Sequence, residues 1–585
     1  MNDAGSSGPR RRFLAGVAGL SSLSLAGCTD LVWSRTEEPS PDRISLTIKT
    51  VPTDDDVIAP QIASQLRENL KAAGIDVEQD TVAEPELYRE ILMEGEYDVF
   101  IAKHPGIGEI DGLRGLLYHE YISEPGWQNP FAFADVTANE LLESQLETDG
   151  DERKTAVRDL IEHLERTAPY TCVAFSNHLG GVRDGIDRQT PPTRPVDYVD
   201  LLASNAESLD GPLRVGLFGE GVTDRLNPLV VDAASVLPPV ELLYDPLARR
   251  IGDEYVPWLA EEIDWGERSG DLSATVTLRP GVTWHDDEPL DAFDVEFTYR
   301  FVEDTSLDEA DTAIPTPRYR DLQTLVATAD PVDSRTIQFT FRAGSRAAAR
   351  RAFTIPVLPE HVWKSRSELV GEYQTAALTD ANDEPIGSGP FSFGEVVEDE
   401  LIELEAFDDH VIRDPETDRP AALSAPPDGV GIEFRVFYEA GEMIDALEEG
   451  EIDVTGTSVP PEVATSIRDR DGVSMTVAST DSFYLIGYNV EHPQLGNPWF
   501  RSVVSRLVDR EFVVSEFCRG YGEPASSTGE LLGIRSGDWG SPVDDPSTVV
   551  EFPGSNGEID VDRGRSLFEA ETKYRYGDDG TLRSR

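Results

Sequence analysis

Apolar and polar positions between residues 44 and 102 alternate between two periods. Ile44 to Val51, Ile75 to Val82 and Tyr97 to Ala102 read as strands. Between the first two, Ile58, Ile62, Leu66 and Leu70 fall on one face of a helix from Val57 to Ala73, closed by Gly74. A second helix spans Glu86 to Glu94 and stops at Gly95. This βαβαβ alternation predicts a mostly parallel sheet with helices on both faces. An amphipathic helix from Asp151 to Arg166 then leads into the strand Tyr170 to Phe175, and the Pro- and Asp-rich stretch 184–212 reads as a linker. A second region opens with the strand Leu213 to Phe218. It holds strands at Leu272 to Leu278, Thr336 to Arg342, Leu401 to Phe407 and Val430 to Phe437, and helices at Asp291 to Glu303, with Asp291 as N-cap, and Gly441 to Glu449. A third region starts near Asp481, with the strand Phe483 to Val490 and helices Trp499 to Phe517 and Val561 to Thr572.

One pattern occurs twice. Leu92-Met93-Glu94-Gly95-Glu96-Tyr97-Asp98-Val99 and Leu447-Glu448-Glu449-Gly450-Glu451-Ile452-Asp453-Val454 both read as a helix end, a glycine stop and a strand opening with Asp-Val. The echo is either a generic αβ turn or a mark of two lobes with similar topology.

At 585 residues the chain is long enough for two or three domains. Charge changes the picture more than length does. Acidic residues number 111 against 50 basic, giving a net charge of −61, and only six of the basic residues are Lys. The runs are spread along the chain, as at Asp54-Asp55-Asp56, Glu261-Glu262 and Asp544-Asp545. They read either as a carboxylate-coated surface suited to very high salt, as in halophiles, or as cation-binding clusters. Such a surface repels nucleic acid and excludes that partner.

The N-terminus reads as an address. Arg10-Arg11-Arg12-Phe13-Leu14 precedes a 14-residue weakly apolar stretch, Leu14 to Gly27, which is too short to span a membrane but fits a signal h-region. It resembles a twin-arginine export signal, and Leu25-Ala26-Gly27-Cys28 resembles a lipobox with Cys28 as the lipidated residue. Residues 1–28 are then the signal and 29–43 a polar tether to the membrane. Cys172 and Cys518 remain, as a disulfide or as two free thiols.

From Leu213 to Ser526 a series of motifs occurs in order. Leu226-Asn227-Pro228-Leu229 is followed by Val240-Glu241-Leu242-Leu243-Tyr244-Asp245-Pro246-Leu247 and Val256-Pro257-Trp258-Leu259-Ala260-Glu261. The longest runs from Thr277-Leu278-Arg279-Pro280-Gly281-Val282-Thr283-Trp284-His285-Asp286-Asp287 to Val295. Ile355-Pro356-Val357-Leu358-Pro359-Glu360-His361, Gly387-Ser388-Gly389-Pro390-Phe391 and Trp499 to Gly522 complete the set. These resemble the family 5 extracellular solute-binding proteins, the dipeptide/oligopeptide-binding type of ABC importers, with Asp287 where the family usually has Gly.

The resemblance implies an α/β, two-lobed periplasmic-binding-protein-like (type II) fold with a cleft between the lobes. It implies a receptor that closes on a small, peptide-like solute and is read by membrane permease subunits, with no enzyme activity and no cofactor. The family's later segments resemble Ile44 to Val99 and Asp149 to Pro169, which here precede the rest, so the chain resembles a circular permutant. Lobe B is then assembled from 44–175 and 481–585, and lobe A from 176–480, with hinges near 175–185 and 478–484. Candidate ligand-binding residues are Asn227, Tyr484, Asn489, Trp539, His104 and Asp111. Peptide binders of the family carry an Asp that meets the peptide amino group; Gly108 stands there, with Glu109 or Asp111 as substitutes, and a sugar, a metal chelate or another small solute stays open beside a peptide. The rivals from other classes are a secreted hydrolase and a surface binding protein outside transport. The sequence holds no His-Glu-x-x-His, Gly-x-Ser-x-Gly, P-loop or zinc-type cluster, and so no metal site is expected.

Overall fold

A computed structural model describes residues 43–583, apart from 123, 125–126, 220, 230–236, 253, 372–373, 414–424, 526–550 and 573. The first βαβαβ unit forms as the periodicity predicts. β1 (Ser45–Thr50) lies parallel to both β2 (Asp76–Thr81) and β3 (Val99–His104), and helix α1 (Ala59–Ala72) packs across them. The N-terminus of α1 is held by Asp56, whose Oδ1 accepts from the backbone N–H of Ile58 at 2.7 Å and Ala59 at 2.8 Å.

Two long strands organise everything else. β4 (Tyr170–Arg183) and β8 (Val473–Tyr488) run antiparallel to each other along most of their length. Beyond β4 lie β7 (Val454–Thr455), β5 (Leu213–Phe218) and β6 (Ile432–Phe437), and helix α2 (Ala440–Glu449) leads into β7. Within an 11-stranded sheet the order is therefore β2-β1-β3-β8-β4-β7-β5-β6, near-symmetric about the β8/β4 pair. Pairing between the two shifts register twice, between Ser479 and Phe483 and between Tyr484 and Leu485, beside the point where the strand Gly522–Pro524 adds to β4 at Ala174–Ser176.

The repeated octapeptide gains a physical account here. Gly95 and Gly450 both end their helices in the left-handed region, at φ 66° and 76°, where other residues are strained. Three residues later, each Asp receives a backbone N–H from the adjoining strand. Asp98 accepts from Thr47 at 2.9 Å and Asp453 from Arg214 at 3.0 Å. The same device thus fastens β3 to β1 and β7 to β5.

Two large cores result. One is built from residues 44–174 together with 483–582, including Ile48, Leu66, Phe100, Leu485, Phe500 and Phe568. The other lies within 146–454 and surrounds Trp284, Phe339, Phe353 and Trp363. The second also packs a four-stranded sheet, Ala260–Arg268, Asp271–Leu278, Thr336–Phe341 and Val326–Pro331, which packs with the helix Ala292–Glu303. Asp291 caps that helix by accepting from Phe293 N–H at 2.8 Å, while Asp294 accepts from Asp291 N–H in return.

Three expectations change in the structure. The stretch 184–212 is not an open linker, because Pro195–Ser204 is a helix that buries Val196, Tyr198, Val199, Leu201 and Leu202. Its Asp197 carboxylate holds the N–H groups of Thr193 and Arg194, so the Pro and Asp that suggested a loop are a helix start. The helix expected at Trp499 to Phe517 breaks into Pro498–Ser505 and a restart at Arg510, where the Asp509 side chain caps Phe512 N–H at 3.1 Å. The strand expected to end at Phe175 continues to Arg183, since β8 supplies a partner along the way.

Two motif details also find their cause. Asp287, where Gly is usual, has φ 66°, a region that Asp tolerates better than most residues. Gly387 and Gly389 are required by close approach, because a Cβ on either would lie about 2 Å from the carbonyl oxygens of Leu243 and Leu242. His285 joins this turn to the 283–289 turn, accepting from Gly387 N–H at 3.2 Å and lying 3.1 Å from the Gly389 carbonyl oxygen.

Candidate functional site

A cavity of about 380 Å³ opens between the loop that follows β3 and a wall drawn from residues 194–356. That loop bends at Gly106 and Gly108, both with positive φ, and presents Ile107, Gly108 and Glu109 to the cavity. Facing it, the hairpin Ala248–Ile251/Glu254–Pro257 supplies Arg249, Arg250 and Tyr255. The turns at 318–319 and 351–356 supply Arg318, Tyr319 and Arg351, and Arg194 comes from the start of the 195–204 helix.

The wall is drawn together by polar contacts across the opening. Arg250 Nη1 donates to the Gly108 carbonyl at 3.3 Å, and the Tyr255 hydroxyl donates to Glu109 Oε1 at 3.2 Å. Arg350 reaches the same Glu109 oxygen at 3.5 Å and lies over the Tyr255 ring. Further along the same seam, Arg320 clasps Glu124 at 2.7 and 3.0 Å, and Arg114 donates to Thr324 at 2.8 Å. Behind the wall, Asp245 is fully buried between Arg249 (2.8 Å) and His410 (2.6 Å). Burial pushes its carboxyl up, but the contacts with His410 and Arg249 more than offset that and hold it below the ordinary carboxylate range.

Among the described residues, none of the sequence candidates lines this cavity. Asn227 holds its own loop, donating to the carbonyls of Ala377 and Asp380 and accepting from Leu229 N–H, although its neighbour Pro228 is on the wall. Tyr484 is buried and donates to Asp56 at 2.9 Å, the carboxylate that caps α1. Asn489 fastens the chain after β8 to the Tyr97 carbonyl at 2.9 Å. Asp111 is 1% exposed and is ion-paired with Arg153 at 2.7 Å. Its carboxylate therefore fixes the base of the loop, while Glu109 of the same loop lines the cavity. Trp539 and Cys28 lie outside the described residues.

His104 is buried between the Trp127 edge and the Phe483 face, and its Nδ1 accepts from Gly106 N–H at 3.0 Å. Burial lowers its pKa to about 3, and the same cause takes His178 and His285 to about 4. An unfolded His takes up its proton near pH 6.5. Stability from these neutral rings is thus complete above that pH and is lost as pH falls from about 6.5 toward 3. In urea titrations, His104→Phe is expected to flatten this decline. A slope between pH 6.5 and 4 identical to that of the parent chain would show that His104 does not titrate as described.

The residues the sequence did not single out are the cavity's arginines. A signal existed: Arg249-Arg250 and Arg350-Arg351 are basic doublets in a chain with more than twice as many acids as bases.

Residues 254–563 match the family model described as bacterial extracellular solute-binding proteins, family 5 Middle. Among curated proteins, Protein XP55 of Streptomyces lividans is 27% identical over 367 residues, covering 61% of this chain and 59% of that protein. The dipeptide-binding protein of Escherichia coli is 24% identical over 325 residues, 53% of this chain and 56% of its own length. The chain thus spans a little over half the length of these relatives. Among solved structures, the ABC transporter substrate binding protein CtaP of Listeria monocytogenes is 26% identical, with 44% of this chain and 46% of that one covered at a TM-score of 0.35.

Proposed function

The chain belongs to the family 5 extracellular solute-binding proteins, and from that premise we propose that it captures a small peptide-like solute between its lobes and delivers it to the permease of an ABC importer. The observation that carries this reading is the cavity of about 380 Å³, walled on one side by 107–109 and on the other by 194–356. Its volume is in the range that holds small ligands. Solute touching both walls stabilises the closed arrangement, with the β4/β8 crossing as the hinge. A thermal-shift screen in molar salt over di- and tripeptides and sugars tests it, because a ligand at about 100 times its Kd adds about 2.7 kcal/mol. No shift with any solute class would remove the receptor reading.

We infer two features beyond capture. The first is a lipid anchor at Cys28 behind a twin-arginine signal, supported by the motif order at 10–28. Cys28→Ser is expected to leave the precursor unprocessed or to release the protein from membranes; unchanged processing and membrane association would sink it. The second is the circular permutation, with lobe B as 44–175 plus 481–585 and lobe A as 176–480. It is supported by the Ile44 N–H to Leu582 carbonyl bond at 3.3 Å and the Arg43–Arg583 bridge, which bring 43 and 583 side by side. Joining Arg583 to Arg43 by a short Gly/Ser linker and opening the chain within 184–193 should preserve cooperative melting. Failure of that chain to fold would count against the permutation.

A further inference from the structure

Resting on the receptor reading above, we propose that the solute is an anion, recognised through its carboxylates by the arginine wall and not through an amino group. The chain as a whole carries 50 basic and 111 acidic residues, so a randomly chosen patch is acidic. The cavity reverses that balance. Among the described residues its wall holds five arginines, 194, 249, 250, 318 and 351, against two carboxylates, Glu109 and Glu241.

Both of those carboxylates already face guanidinium groups. Glu109 meets Arg350 at 3.5 Å, Arg250 at 3.9 Å and the Tyr255 hydroxyl, while Glu241 meets Arg318 at 3.5 Å. The carboxylates one layer behind are matched as well: Asp245 by Arg249 and His410, Asp321 by Arg351 and Arg114, and Asp197 by Arg188 and Arg194. An incoming ammonium group would therefore have to displace an arginine to find a counter-charge. At the position where the family's peptide binders place their Asp, Gly108 offers only backbone, in a left-handed conformation that favours glycine, and its carbonyl accepts from Arg250.

Guanidinium has five N–H donors and suits planar, bidentate contact with carboxylate. Arg249 uses Nη2 on Asp245 and the Glu241 and Tyr244 carbonyls, and its buried Nε has no acceptor among the described residues. Arg114, Arg188 and Arg350 stand beside the wall as well, so the guanidinium groups around the cavity outnumber the described carboxylates that pair with them, and this excess of donors and positive charge in a partly enclosed site favours a solute with more carboxylates than amines, an acidic dipeptide being the simplest peptide-like example. Because partly buried pairs are screened less than exposed ones, the preference survives in the salt that quiets the outer surface.

The test is calorimetry and thermal shift on the full chain in molar potassium chloride, with Glu-Glu, N-acetyl-Glu-Glu, Ala-Ala and Ala-Lys amide as probes. Expected is binding of both glutamyl peptides, acetylated or not, with Ala-Ala and Ala-Lys amide at least tenfold weaker. Arg318→Gln and Arg250→Gln should each weaken Glu-Glu at least tenfold; melts without peptide separate this from a loss of fold, and either variant suffices if the other does not fold. Tighter binding of Ala-Ala or Ala-Lys amide would overturn the anion proposal and leave the receptor reading standing. Glutamyl binding unchanged in both variants would overturn the assignment to this wall. No binding by any probe, with no sugar active either, would remove both readings.

Discussion

Asp453→Ala is expected to lower the unfolding free energy by about 2–3 kcal/mol, the cost of removing the shared acceptor of two partly exposed guanidinium groups and a backbone N–H. The Asp453 side chain has no exposed surface. Its carboxylate accepts from Arg183 Nε and Nη2 at 3.1 and 2.7 Å and from Arg214 N, Nε and Nη2 at 3.0, 3.1 and 2.8 Å. Burial pushes this carboxyl up, and the Arg214 and Arg183 hydrogen bonds more than offset it, leaving it below the ordinary range. The group stands where β4, β5 and β7 meet, so its loss unfastens the sheet beside the crossing strands. Asp98→Ala, at the matching place in the other half, should cost less, about 1–2 kcal/mol, because Asp98 holds Thr47 N–H and has only a distant His492 partner at 3.8 Å. Denaturant melts of the two variants check the contrast. Equal losses would mean that the arginine pair adds nothing.

Lowering salt from molar to about 0.1 M is expected to drop the melting temperature by tens of degrees, since the screening length grows from about 3 to 10 Å. Part of the cause is local. On the strands Phe391–Val397, Leu401–Ala406 and β6, Glu403 lies directly opposite both Glu395 and Glu433. Like charges so placed repel, and burial together with Glu433, Glu405 and Glu395 pushes the Glu403 carboxyl up. Glu403→Gln should therefore raise the melting temperature in low salt and change it little in molar salt. A melting temperature that stays flat across salt would remove the account of the −61 surface as one suited to high salt.

Local order was legible wherever the local signal was strong. The 3.6-residue spacing of Ile58, Ile62, Leu66 and Leu70 placed α1, and Asp291 with Asp294 placed a cap, because helix ends and amphipathic faces are set by neighbours a few residues away. Elements whose partners lie hundreds of residues off were read short or missed. β4 extends to Arg183 because β8 pairs with it, and 195–204 is a helix because the core around Phe434 and Leu213 accepts its apolar face.

The site divides along the same line. Sequence motifs directed attention to Asn227, Tyr484, Asn489 and Asp111, polar groups at conspicuous places in the chain, and the structure spends each of them on holding a loop or a helix end. The sequence by itself determined the secondary structure of the βαβαβ unit, the excess of negative charge and the family. Only the tertiary structure decided that residues 44–174 share a core with 483–582, and that arginines from 194, 249–250, 318 and 351 converge on one cavity beside Glu109. The physical reason is that such convergence is a property of packing between distant segments, and no spacing along the chain encodes it.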